Sequence, residues 1–118
     1  MSGSVLNETK KLLGLPTTTD DFNQDIIVGI NATLVSLKQL GVIEADFSIV
    51  EDDETSWTDI FTDRDDLTLI KSYIYQKVRL FFDPPTNSFL VDAITRQIDE
   101  LEWRLREENE DYDVEEVV

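Results

Sequence analysis

Ile70-Lys71-Ser72-Tyr73-Ile74-Tyr75-Gln76-Lys77-Val78-Arg79-Leu80-Phe81-Phe82-Asp83-Pro84-Pro85-Thr86-Asn87-Ser88-Phe89-Leu90 is the stretch that decides the fold. Its apolar residues, begun at Leu67, recur as Leu67, Ile70, Ile74, Val78 and Phe81, steps of three and four that put them on one face of an α-helix. Asp65 and Asp66 favour the positive end of that helix, and Lys77 and Arg79 favour its C-terminal half. Pro84 and Pro85 end it near Phe82, because proline lacks an N–H and disfavours α geometry in the residue before it. Asn87 or Ser88 then caps a further helix, and Leu90, Ile94, Ile98, Leu101 and Leu105 form its stripe, with Phe89, Ala93 and Trp103 beside it. The pairs Asp92–Arg96, Glu100–Arg104 and Glu102–Arg106 add i,i+4 support, so this helix runs to about Glu108.

Working back towards the N-terminus, Phe22, Ile26, Ile30, Leu34 and Leu37 mark another long helix, from about Asp21 to Gln39, with Ile27 and Val35 widening the stripe. Thr17 to Asp20 supply its caps, Gly41 stops it, and Gly29 inside it points to a close helix contact. Val5 to Leu13 predicts a short first helix, with Val5, Thr9, Leu12 and Leu13 on one side and Gly14 and Pro16 at its end. Between the long helices, residues 42–63 lose the helical period. Phe47 and Ile49 suit an extended piece, Glu51-Asp52-Asp53-Glu54 an exposed loop, and Trp57 to Phe61 a helical turn. The expected fold is all-α: a bundle of three to four helices, a long acidic loop before the third main helix, and a flexible acidic tail over residues 107–118.

Absences narrow the function. In 118 residues there is no His and no Cys, so thiol nucleophiles, a Ser-His-Asp triad, disulfides and Cys- or His-based metal sites are excluded. The acids around Asp59, Asp63, Asp65 and Asp66 lack the glycine and terminal glutamate of an EF-hand. No Gly-rich phosphate loop exists, and no carboxylate pair is marked for acid/base work. No catalytic residue, cofactor, metal or small-molecule substrate is expected. The longest uncharged run, Ile26 to Leu37, is 12 residues, too short to cross about 30 Å of hydrocarbon. The N-terminus lacks a signal-peptide layout, so a soluble protein made in a cytoplasm is expected.

The net charge of -16 is unevenly spread. Residues 44–66 hold ten acids against Arg64 alone, residues 107–118 hold seven against none, and residues 67–106 hold five acids and six bases. Such a surplus repels phosphate, which argues against wrapping nucleic acid. Tyr73, Tyr75, Phe81, Phe82, Phe89 and Trp103 pack mainly inward by their spacing, with Tyr75, Phe82 and Trp103 as candidates for a self-association patch.

The run from Ile70-Lys71-Ser72-Tyr73-Ile74 through Phe81-Phe82-Asp83-Pro84-Pro85 to Glu100-Leu101-Glu102-Trp103-Arg104-Leu105 closely resembles the head–tail connector (adaptor, or head completion) proteins of tailed bacteriophages. Leu13-Gly14-Leu15, Leu40-Gly41-Val42, Phe47 and Trp57 extend the likeness over most of residues 10–106. The resemblance implies a helical connector domain over residues 1–106, with Asp83, Pro84 and Pro85 as its structural corner. It also implies a non-enzymatic virion protein, made in the bacterial host cytoplasm. Such a subunit forms a ring, dodecameric to match the portal, at the head–tail interface. There the ring binds the portal, docks the next connector, stopper or tail protein, and lets double-stranded DNA pass without specific binding. Under this reading Glu51, Asp52, Asp53 and Glu54 are candidates to line the channel, and Trp57, Tyr75, Phe82, Trp103 and Arg104 are candidates for contacts between subunits or with partners. The acidic tail is expected to stay mobile until a partner orders it. The alternative reading is an acidic decoy that imitates DNA on a host nucleic-acid-binding protein. It suffers from the near-neutral third and fourth helices, since a decoy needs acids along a folded face.

Overall fold

The computed structural model describes residues 4–16, 21–43, 48–49, 55–61 and 66–117, with side chains through Glu107. It is all-α, with α1 at Val5–Leu12, α2 at Asn23–Gln39, α3 at Trp57–Ile60, α4 at Leu67–Phe82 and α5 at Ser88–Val117. Among the described residues the nearest thing to a strand is an isolated antiparallel bridge between Ser4 and Ser56.

Local chemistry sets the ends of these helices. Ser4 caps α1 by accepting the Asn7 N–H at 3.0 Å. At the other end Gly14, at φ +83°, donates to the Lys11 carbonyl while Leu15 donates to that of Lys10. The same pair of bonds closes α2, where Gly41 at φ +84° donates to Lys38 and Val42 to Leu37. Both are Schellman stops, which need a left-handed residue that only glycine adopts without strain. Asn87 caps α5, its side chain accepting the Phe89 N–H at 2.8 Å. α4 stops at Phe82, just before Asp83 and the two prolines.

α4 is the central element. It packs on α2 along one side and on α5 along the other, while α1 lies against α2 and α4. The core is built from Ile26, Ile30, Leu34 and Leu37 of α2, Ile70, Tyr73, Ile74 and Val78 of α4, and Ile94, Ile98 and Leu105 of α5. Val5, Leu6, Trp57, Ile60 and Phe61 close its end. At Gly29 α2 and α4 come close: a Cβ there would lie 3.2 Å from the Phe81 ring and 3.5 Å from Val78.

Several expectations need correction. On α1 the buried side is Val5, Leu6, Thr9 and Lys10, and Leu12 is exposed, because α1 packs against both α2 and α4 and so buries the face that Val5–Thr9 and Leu6–Lys10 share. Val35 does not widen the buried stripe of α2; it lies opposite Ile26, Ile30 and Leu37 and is exposed. Phe81, Leu90 and Phe89 are likewise exposed at the corner where α4 and α5 diverge. The backbone of α5 stays helical to Val117, past the expected end near Glu108. No glycine or proline interrupts residues 86–118, so loss of the apolar period there removes tertiary packing but no backbone hydrogen bond. Thirty residues span about 45 Å at 1.5 Å each, which accounts for most of the molecule's 49 Å long axis. The expected caps Thr17 to Asp20, together with Phe47, Asp63 and Asp65, lie outside the described residues.

Candidate contact surfaces

Sequence placed Trp57 among candidate contact residues, but the fold puts it inside. Trp57 is 1% exposed and stacks on Phe61 at 6.4 Å between ring centres. Its indole N–H donates to the Glu8 carboxylate, and the Lys71 ammonium lies 5.2 Å above the ring and 3.6 Å from the same carboxylate. The piece leading into α3 is sewn to α1 by the bond from the Val5 N–H to the Thr55 carbonyl, at 2.9 Å. Trp57 therefore ties α1, α3 and α4 together within the subunit.

The remaining candidates are reachable to different degrees. Tyr75 is half-buried and lines a groove between α1 and α4 with Lys11, Leu12 and Lys71. Phe82 is half-buried, edge-on to Phe22 at 5.4 Å, beside exposed Asp83 and Pro84. Arg104 is exposed and held by Glu100 at 2.9 Å. Trp103 is 58% exposed on the side of α5 away from α4. Glu51, Asp52, Asp53 and Glu54 lie outside the described residues.

Sequence reasoning missed the larger part of the exposed apolar surface. Phe89 is 81% exposed, and Val28 and Val35 on α2 are 53% and 56% exposed. A signal for α2 was present: Ile26 to Leu37 carries no charge at all, so apolar and neutral residues surround the helix instead of forming one stripe. Phe89 and Trp103 are fourteen residues apart on α5 with Arg96 midway. That spacing is two heptads, so all three share one outer face about 21 Å long.

Between α2 and α5, over the surface of α4, runs an open groove of about 550 Å³ lined by Gly29, Ala32, Ser36, Lys77, Phe81 and Glu102, among others. At its edge the Tyr73 hydroxyl donates to Glu102 at 2.7 Å. Burial pushes the Tyr73 phenol well above the ordinary tyrosine range, Glu102 adds to this by accepting its proton and by charge, and Ser36 pulls the other way. A phenol held protonated this way serves as a strut between α4 and α5. Among the described residues no group of three or more acids could hold a metal ion, and no helix is long and apolar enough to cross a membrane. The surface thus offers apolar helix faces of the kind that bind proteins.

The sequence profile of a family described as "Phage connector protein" matches residues 5–112. No curated protein and no solved structure matches the chain.

Proposed function

Since the chain belongs to the phage connector protein family, we propose that it is a structural subunit of the head–tail junction, built into the virion as a ring between the capsid portal and the tail. In this reading the ring prolongs the DNA channel and offers its far side to the next connector or to the tail.

The observation that carries the proposal is where the exposed apolar residues sit. Val28, Val35, Phe89 and Trp103 lie on helical faces that are uncharged or charge-balanced, while the acids concentrate in residues 44–66 and 107–118. Neutral apolar faces suit protein neighbours. Strongly acidic segments suit the surroundings of a passing duplex, because they repel phosphate and keep it from sticking. The stretch Glu51-Asp52-Asp53-Glu54 is the proposed lining of the channel. The balanced outer face of α5, with Trp103 and Arg104, is proposed as a contact surface whose alternating charges fix register.

Mixing the protein with portal-bearing capsids and, separately, with a basic DNA-binding protein tests this reading. Cosedimentation with the capsids, and a ring density at the portal vertex by electron microscopy, is the expected result. Binding to the basic protein alone would favour the DNA-mimic decoy and overturn the proposal. Replacing Glu51, Asp52, Asp53 and Glu54 by their amides should leave assembly on portals intact. If rings no longer form, that stretch is a subunit contact instead of a channel lining.

A further inference from the structure

α2 and α5 both pack on α4, and each keeps an outer face that the bundle does not cover. On α2 the buried residues are Ile26, Ile30, Leu34 and Leu37, with Gly29 against α4, which leaves Val28 and Val35 on the exposed side, one heptad apart. On α5 Ile94, Ile98 and Leu105 face inward, which leaves Phe89, Arg96 and Trp103 on the far side. One molecule therefore carries two exposed apolar faces of different shape: β-branched and narrow on α2, aromatic and broad on α5.

We propose that these two faces are partners, the α5 outer face of one copy seating its Phe89 and Trp103 along the α2 outer face of the next. The inference rests on the ring reading above, because a cyclic ring of more than two copies needs a heterologous contact whose two halves lie on different parts of the subunit. Charge limits where a second copy can dock. Two chains of net charge -16 repel each other through most of their surfaces. The uncharged Ile26–Leu37 run against the nearly balanced surface of α5, four acids to three bases up to Arg106, gives an approach with little repulsion. Size sets the strength of the contact. Two half-exposed valines against two large rings bury on the order of several hundred Å² of apolar surface, short of the roughly 1,200–2,000 Å² of a stable interface. The pairing is therefore weak between free copies and becomes firm when a portal aligns them.

The test uses two full-length double variants, Val28→Glu with Val35→Glu, and Phe89→Ser with Trp103→Ser. Each is checked for an unchanged helical spectrum and compared with wild type at high concentration and on portal-bearing capsids. Each variant alone should lose self-association by at least roughly tenfold. An equimolar mixture should recover a one-to-one pair that grows no further, because each pair retains a single intact contact. As a second reading, the chain has no cysteine of its own, so single Val35→Cys and Arg96→Cys proteins can be joined by a short bismaleimide linker. They should cross-link to each other in preference to themselves. Wild type that never assembles, alone or on portals, overturns the ring reading and the pairing with it. Wild type that assembles while both double variants assemble equally well overturns the pairing alone, as does preferential Val35→Cys self-cross-linking.

Discussion

Asn31 is the residue through which the long connection between α2 and α3 is fastened to the bundle, and its replacement by alanine gives a worked test of the fold. The Asn31 side chain accepts the Ile49 N–H at 2.8 Å and donates from Nδ2 to the Ile49 carbonyl at 3.1 Å. Ile49 itself is buried in the core. Removing the amide deletes two hydrogen bonds, each contributing about 1 kcal/mol net. It also strands the Ile49 backbone groups next to a buried side chain, where water replaces the lost partners poorly. The expected loss is about 2 kcal/mol, or a fall of about 6–10 °C in Tm for a chain of this size. Thermal and urea unfolding followed by circular dichroism measures the loss, and amide hydrogen exchange at Ile49 localises it. Asn31→Asp sharpens the test. It keeps the acceptor for the Ile49 N–H but turns a carboxylate oxygen towards the Ile49 carbonyl, so it should recover only part of the loss seen in Asn31→Ala. A loss under about 0.5 kcal/mol for Asn31→Ala, the range of an ordinary surface change, with unaltered exchange at Ile49, would refute the account of this connection as a clamped segment.

Tyr73→Phe should cost about 1–2 kcal/mol at neutral pH, through the lost bond to Glu102. Because burial and Glu102 raise the Tyr73 pKa above its unfolded value of 10.0, that stability is full below about pH 10 and is lost as pH climbs towards the folded value. Urea titrations across that window should show an alkaline decline in wild type that is smaller in Tyr73→Phe. Trp57→Ala should destabilise by about 3–5 kcal/mol, enough to threaten folding, because it empties the site joining α1, α3 and α4. Fluorescence of the remaining Trp103 then reports on an already exposed indole. Gly29→Ala should stabilise by up to about 0.5–1 kcal/mol in thermal melts. The new methyl meets the Phe81 ring at 3.2 Å, but that ring ends a half-free side chain and can yield. Gly29→Leu should instead destabilise, since the larger group must displace Val78.

Much of the helix inventory could be read from the chain. Leu67 to Phe81 and Leu90 to Leu105 keep a three-four period, Asn87 can cap, Pro84 and Pro85 cannot continue a helix, and the Leu-Gly-Leu and Leu-Gly-Val stops supply glycine where a left-handed turn is required. These signals are local, acting within a few residues, and so survive without knowledge of the neighbours. The contact surface was less legible. Trp57, a candidate for contacts, is buried within the subunit, while Phe89 and Val35 looked like packing residues and are exposed. Which apolar residue is covered depends on which other helix arrives, and the period of one helix does not contain that.

By itself the sequence determined an all-α chain, its helix stops, the uneven charge and the absence of histidine and cysteine chemistry, because each follows from side-chain identity or from spacing along one segment. Tertiary structure alone decided that α4 would pack on both α2 and α5, that Asn31 would hold Ile49, and that α2 and α5 would each keep an apolar outer face uncovered. The physical reason is that burial is a property of pairs of elements: three helices packed side by side cover the inner stripes of the outer two and leave their far sides to solvent or to another molecule.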